Sequence, residues 1–309
     1  MWAERFDREL KDIFSVQDEI TGRVVGAIAG GSQSVLRRAV LEATQRKDPE
    51  SLEAYDLVLS ALAENWYNRL TWPKAKAKLE RAIALDPGYA RAREEYAWLM
   101  LMGWIFRLGD TGMTPEQIRR KAIEAVQLDS SDPLAHRTAA IGYFFAHELE
   151  SFEREARLAF AMAPYNADIF AQLGWFHGPP GNWDRAVDLV NKGYRLSPGS
   201  AGGWYYSALF YQHYVNGRYR EALEIVRLTN QEVCENQMKF ILVYGKLGQP
   251  DVAKPYHQRC KEEVPEFSPE WLLGVFRTWN FNEANIRQFM DGMTRAGYPC
   301  QPPSCKLDQ

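Results

Sequence analysis

The sequence is poor in the residues that build metal and covalent frameworks, with only four cysteines and five histidines in 309 residues. Cys234, Cys260, Cys300 and Cys305 form no C-x-x-C pair, so neither a zinc module nor a dithiol centre is written locally. A zinc site from His257, Cys260, Cys300 and Cys305 would need distant residues with no recognised spacing. Cys300 and Cys305 flank Gln301-Pro302-Pro303-Ser304 and could close a small ring, but in a cytoplasmic chain they are expected to stay thiols. No histidine completes an H-E-x-x-H pattern: His147-Glu148 is only its first half. Gly31-Ser32-Gln33-Ser34 lacks the second glycine of a nucleophile elbow. Long apolar runs are also missing. The longest, Trp98 to Phe106, is far short of the roughly 20 residues that span a bilayer, so membrane insertion is not expected. Charge of one sign is scarce too, since the net charge of -3 provides no basic field for nucleic acid. Met1 to Leu10 mixes acids and bases and no apolar stretch follows, so neither a secretory leader nor a location outside the cytoplasm is expected.

What is present is repetition. Arg81 to Pro87, Glu124 to Ser130, Leu158 to Pro164 and Lys192 to Pro198 end in nearly the same phrase. The last three recur every 34 residues, whereas the first step is 43, which implies an insertion at Gly109 to Pro115. In the segment from Ala167, Phe170, Leu173, Gly174 and His177 share one helix face, and Ala186, Val190 and Gly193 mark a second helix. Pro198 is read as its stop, because proline lacks an amide hydrogen and biases the preceding residue away from helix. His177-Gly178-Pro179-Pro180-Gly181-Asn182-Trp183-Asp184 has no Gly-Lys-Ser/Thr ending and reads as the hairpin turn rather than a phosphate cradle. Glu94-Glu95 and Glu262-Glu263 read as solvated helix faces.

The 34-residue period resembles the tetratricopeptide repeat. That resemblance implies an all-α fold, a tetratricopeptide-type right-handed superhelix (α-solenoid) of antiparallel helix pairs. The boundaries expected are amino-terminal linker and capping helices over 1–50 and an array of about six units over 51–266. A degenerate capping pair over 267–299 and an irregular tail over 300–309 complete the chain. The leader Trp2 to Leu10, Asp12-Ile13-Phe14 and Val16 to Ile20 is similar to the segment that precedes such arrays in bacterial class III adenylate/guanylate cyclases and winged-helix regulators. Asp48 to Leu57, Ala82 to Ala90 and Arg295 to Pro299 continue the likeness. With no cyclase domain or winged helix ahead of Trp2 in this sequence, the resemblance implies the sensing or scaffolding half of such a protein, standing alone or cut away, and no cyclase activity is expected of it.

In such an array the first helices expose one face to a groove. By helical spacing that face carries Arg91, Glu94 and Trp98, then Arg137 and Phe144, then Trp175, then Tyr205, Gln212 and His213. Ile141, Leu209 and Leu242 fall on the same stripe and read equally well as core. Aromatic and arginine anchors suit a protein or peptide partner or self-association. No cofactor, metal or catalytic residue is implied. The alternative is a regulatory, ligand-sensing half of a nucleotide cyclase or transcriptional regulator.

Overall fold

A computed structural model describes residues 53–66, 68–230 and 232–300. The leader helices expected before residue 51 and the tail beyond Cys300 lie outside the described residues. Within them are fourteen helices and no strand: α1 (Ala54–Leu62), α2 (Trp72–Leu85), α3 (Ala90–Ile105), α4 (Pro115–Leu128), α5 (Pro133–Phe145), α6 (Leu149–Met162) and α7 (Ala167–Phe176), followed by α8 (Trp183–Leu196), α9 (Pro198–Val215), α10 (Tyr219–Arg227), α11 (Cys234–Lys246), α12 (Pro250–Glu263), α13 (Pro269–Thr278) and α14 (Glu283–Arg295). Odd numbers are first helices of a pair and even numbers second helices. Two compact units result. Unit 1 runs to Leu173 and takes in Arg195–Ser200; unit 2 holds Gly174–Tyr194 and everything from Ala201 onward.

The second helices form because each offers a single apolar stripe. Trp72, Ala75, Leu79 and Ala82 are the buried residues of α2, Phe152, Ala156 and Ala159 those of α6, and Trp183, Ala186, Val190 and Gly193 those of α8. Small residues in these stripes bring α1 against α2, α3 against α4 and α5 against α6. First helices are different. Eleven of the 16 residues of α3 are buried, ten of 13 in α5 and eleven of 13 in α11, whereas only three of 14 are buried in α4 and in α6. They are covered on more than one side.

Helix ends follow local chemistry. The expected insertion forms the loop between α3 and α4, where Thr114 and Gln117 make a reciprocal capping box. Asp132, Ser268 and Asn282 cap α5, α13 and α14 with their side chains. Pro87, Pro164 and Pro265 lie between helices as expected. Pro198 does not: it is the first residue of α9, where a missing amide hydrogen costs nothing because that group has no partner inside a helix. Gly217, at φ 72°, makes the turn from α9 to α10. The Gly178 to Trp183 turn is filled, since a Cβ on Gly178 would lie 2.2 Å from the Trp183 ring and one on Gly181 would lie 2.3 Å from the Asn282 amide.

Cys234 and Cys260 are joined in a disulfide with Cα atoms 4.6 Å apart, closing the open end of the α11–α12 hairpin. Cys300 is also disulfide-bonded, contrary to the expectation of a thiol, which rested on compartment alone. Cys305 lies outside the described residues. The Cys234–Cys260 bridge spans 26 residues, so replacing both cysteines by serine is expected to cost about 3 kcal/mol. A urea midpoint that does not move between the wild-type chain and this variant would remove the bridge from the account.

Candidate partner-binding surface

In unit 1 the first helices carry a row of charged groups that hold one another in place. Glu94 on α3 accepts hydrogen bonds from Arg137 Nη2 at 2.8 Å and from Thr138 Oγ1 at 2.7 Å, both on α5. The Arg137 guanidinium lies 3.9 Å from the Trp98 ring centroid, and its Nη1 donates to Gln172 Oε1 on α7 at 3.5 Å. Glu94 is 0% exposed, Arg137 6% and Trp98 7%. Charges this deep persist only when paired, and the planar guanidinium can stack and hydrogen-bond at once. Arg91 pairs with Glu95, lies 3.8 Å from the second Glu94 oxygen and 3.7 Å from Asp132. Burial works against its charge, but Glu95, Glu94 and Asp132 outweigh it and raise its pKa. Burial also pushes the Asp132 carboxyl above its ordinary value; Glu94 adds to this and Arg91 opposes it. Beside this network, His136 of α5 pairs with Glu155 of α6 at 2.7 Å.

Glu94 and Glu95 are therefore not a solvated face: both are buried, Glu94 against Arg137 and Thr138 of α5 and Glu95 against Arg91 of its own helix. Glu262 and Glu263 are exposed, as read. Phe144 is fully buried, edge-on to Phe145 and Phe152, and belongs to the α5–α6 hairpin core.

In unit 2, Trp175 is 5% exposed and its indole donates to Ser207 Oγ at 3.2 Å. The same hydroxyl accepts from Lys239 Nζ at 3.1 Å. Lys239 is 1% exposed and also reaches Glu235 at 2.8 Å and Asn236 at 3.0 Å, so all three of its donors are used. Tyr205 is part-exposed and stacks on Tyr194 at 4.4 Å. Gln212, also part-exposed, donates to Asp184 at 2.7 Å. His213 is part-exposed, with its pKa lowered by burial and by Arg218.

Of the nine candidate partner-binding residues, Arg91, Tyr205, Gln212 and His213 keep partial exposure, while Glu94, Trp98, Arg137, Phe144 and Trp175 are buried. Helical spacing finds the face opposite a hairpin partner but not what covers that face. In unit 2 part of the cover is α13–α14: Trp279 meets Trp175 edge-on at 5.2 Å and lies parallel to Phe176 at 6.0 Å. Thr138, Gln172, Ser207 and Lys239 were missed by sequence reasoning. Only Lys239, four residues after Glu235, carried a local signal. His257 stacks on Tyr298 at 3.7 Å, and Cys260 is committed to Cys234. Among the described residues no cluster of three or more metal-ligating side chains occurs, and no helix is long and apolar enough to cross a membrane.

The chain matches no protein-family model. It is 35% identical over 161 residues to a protein named "Putative adenylate cyclase 3" from Rhizobium meliloti (strain 1021); the match takes in 50% of this chain and 26% of that protein. Among solved structures it resembles the human IFIT1 dimer with m7Gppp-AAAA, at 16% identity and a TM-score of 0.57, over 84% of this chain and 61% of that one. The human IFIT1 dimer with PPP-AAAA gives 17% identity and a TM-score of 0.56, over 81% and 59%. Paired helices at a 34-residue period and this likeness of fold make the chain a tetratricopeptide-type α-solenoid.

Proposed function

We propose that the chain is a non-catalytic scaffold that holds a protein or peptide segment on its first helices, in bacterial signalling and in the cytoplasm. The observation that carries this reading is the row Arg91, Glu94, Arg137 and Gln172 on three successive first helices of unit 1. Its buried members fix the rotamers of the row, and Arg91 and Gln172 stay partly open at its ends. Donors ordered before a partner arrives reduce the entropic cost of binding, and arginine is a favoured anchor for carboxylates and backbone carbonyls. Tyr205, Gln212 and His213 supply a second, less charged set in unit 2.

The test begins with peptides selected on the full chain from a display library, their affinities then measured by calorimetry. Arg91→Glu is expected to weaken them at least tenfold, on the order of 1.4 kcal/mol, while circular dichroism stays helical. Equal affinity in that variant would dismiss the row. Incubation with ATP or GTP and magnesium should give no cyclic nucleotide; any turnover would overturn the non-catalytic reading.

The second reading, a regulatory part of a nucleotide cyclase, is favoured by the match to the Rhizobium meliloti protein, of which this chain spans about a quarter. In that reading the same surface would hold a catalytic domain or a sensed ligand. The human IFIT1 structures hold m7Gppp-AAAA or PPP-AAAA, but a net charge of -3 gives this chain no field for a phosphate backbone, and nucleic acid is not proposed.

A further inference from the structure

Unit 2 closes over part of its own first-helix face with its last helix. Ile286, Phe289, Met290 and Met293, spaced as one stripe of α14, are all buried. Phe289 packs on Tyr211 and Tyr214 of α9 at 5.6 and 5.4 Å. The crossing with α11 is close: a Cβ on Gly245 would lie 2.0 Å from the Gly292 carbonyl, and one on Gly292 would lie 2.3 Å from Tyr214 Oη. Tyr214 Oη donates to the Gln288 carbonyl at 3.2 Å, and Lys246 pairs with Asp291. Ahead of α14, the Asn282 amide donates to the Pro179 carbonyl at 2.9 Å, in the α7–α8 turn. In a plain stack the last helix would meet its nearest neighbours only. Here it reaches back across α11 and α9.

From this we infer that the first-helix face of unit 2 is a receptor for an amphipathic helix, and that its occupant in trans is the same α14 segment from a second copy of the chain. Copies pair by exchanging α13–α14. The hinge is the exposed turn Pro265-Glu266, closed by a hydrogen bond from the Phe267 amide to the Val264 carbonyl at 2.9 Å, whereas Phe267 itself is buried against Trp271 and travels with α13. Detaching the pair leaves the α11–α12 hairpin held by its own packing and by Cys234–Cys260. It also bares the stripe of α14, which must be covered again. Seating it on a second copy restores every contact it had at home, so exchange carries little net cost. The inference rests on the packing of unit 2 and is independent of the charged row in unit 1.

Two full-length variants separate donor from receptor. Gly245→Leu blocks the receptor but keeps an intact α14, and Gly292→Leu spoils α14 but keeps the receptor. Each alone is expected to run at the mass of one chain in analytical ultracentrifugation, with raised binding of an apolar dye. Mixed, they should form a one-to-one complex in which dye binding falls by about half, because one receptor is refilled. A mixture that stays at the mass of one chain overturns the inference, and so does either variant pairing with itself as strongly. If a variant fails to fold, a protease site inserted at the exposed Pro265-Glu266 turn of the otherwise wild-type chain serves instead. After cleavage the released segment should stay bound and be replaced by an excess of labelled peptide covering residues 279–298. A segment that dissociates at once, or one that no peptide can replace, counts against it.

Discussion

Gly174→Trp is expected to destabilise the chain by more than about 3 kcal/mol and to lower the thermal midpoint by several degrees. Even a Cβ at this position would lie 2.7 Å from the Leu189 side chain and 3.0 Å from the Val190 amide nitrogen of α8. Those neighbours cannot yield, because Val190 is itself buried and its backbone belongs to a helix whose other side-chain contacts fix its place. An indole must therefore push α8 away from the end of α7, and with it Trp183, which stacks on Tyr211 at 4.9 Å. Gly174→Ala serves as the graded control and should cost about 1–3 kcal/mol. A tryptophan variant that melts with the wild-type chain would mean that the two helices do not cross here.

The second large effect is electrostatic. Glu94→Ala is expected to cost about 3–5 kcal/mol, because it leaves the Arg137 guanidinium buried without its anion and Thr138 without its acceptor. Replacing Glu94 and Arg137 together by Leu and Met should cost much less than Glu94→Ala, since a buried ion pair contributes little net stability over apolar side chains of similar size. Chemical denaturation of the single and double variants measures both. If Glu94→Ala is as stable as the wild-type chain, then Arg137 is solvated and the charged row of unit 1 is not a built feature.

The part of this architecture legible in the sequence is the part held by near neighbours. Second helices such as α6 bury one stripe, Phe152, Ala156 and Ala159, and a single stripe yields its face and period directly. The stops around Pro87, Pro164 and Pro265 are local backbone chemistry. First helices hide their orientation because they are apolar on several sides: Trp98 to Met102 of α3 are all buried, so no face stands out. Glu94 and Glu95 show the same limit in polar form. Two adjacent carboxylates look solvated until Arg137, 43 positions on, is placed against Glu94, with Glu95 turned to Arg91 of its own helix. For Trp175 the missing information was farther still, in Trp279 and Phe281, which no spacing rule connects to it.

The return of α14 to the α7–α8 turn also sets an order of events during synthesis. Unit 1 is built from pairs close in sequence, so its hairpins can assemble as the chain emerges. The Asn282 amide, by contrast, meets Pro180 across 102 positions. At roughly 5–20 residues per second, about 5–20 s of translation separate that turn from the residue that closes it. Until then the aromatic surface of Trp175 and Phe176, joined by Tyr211 as it is made, lacks the cover that Trp279 and Phe289 supply.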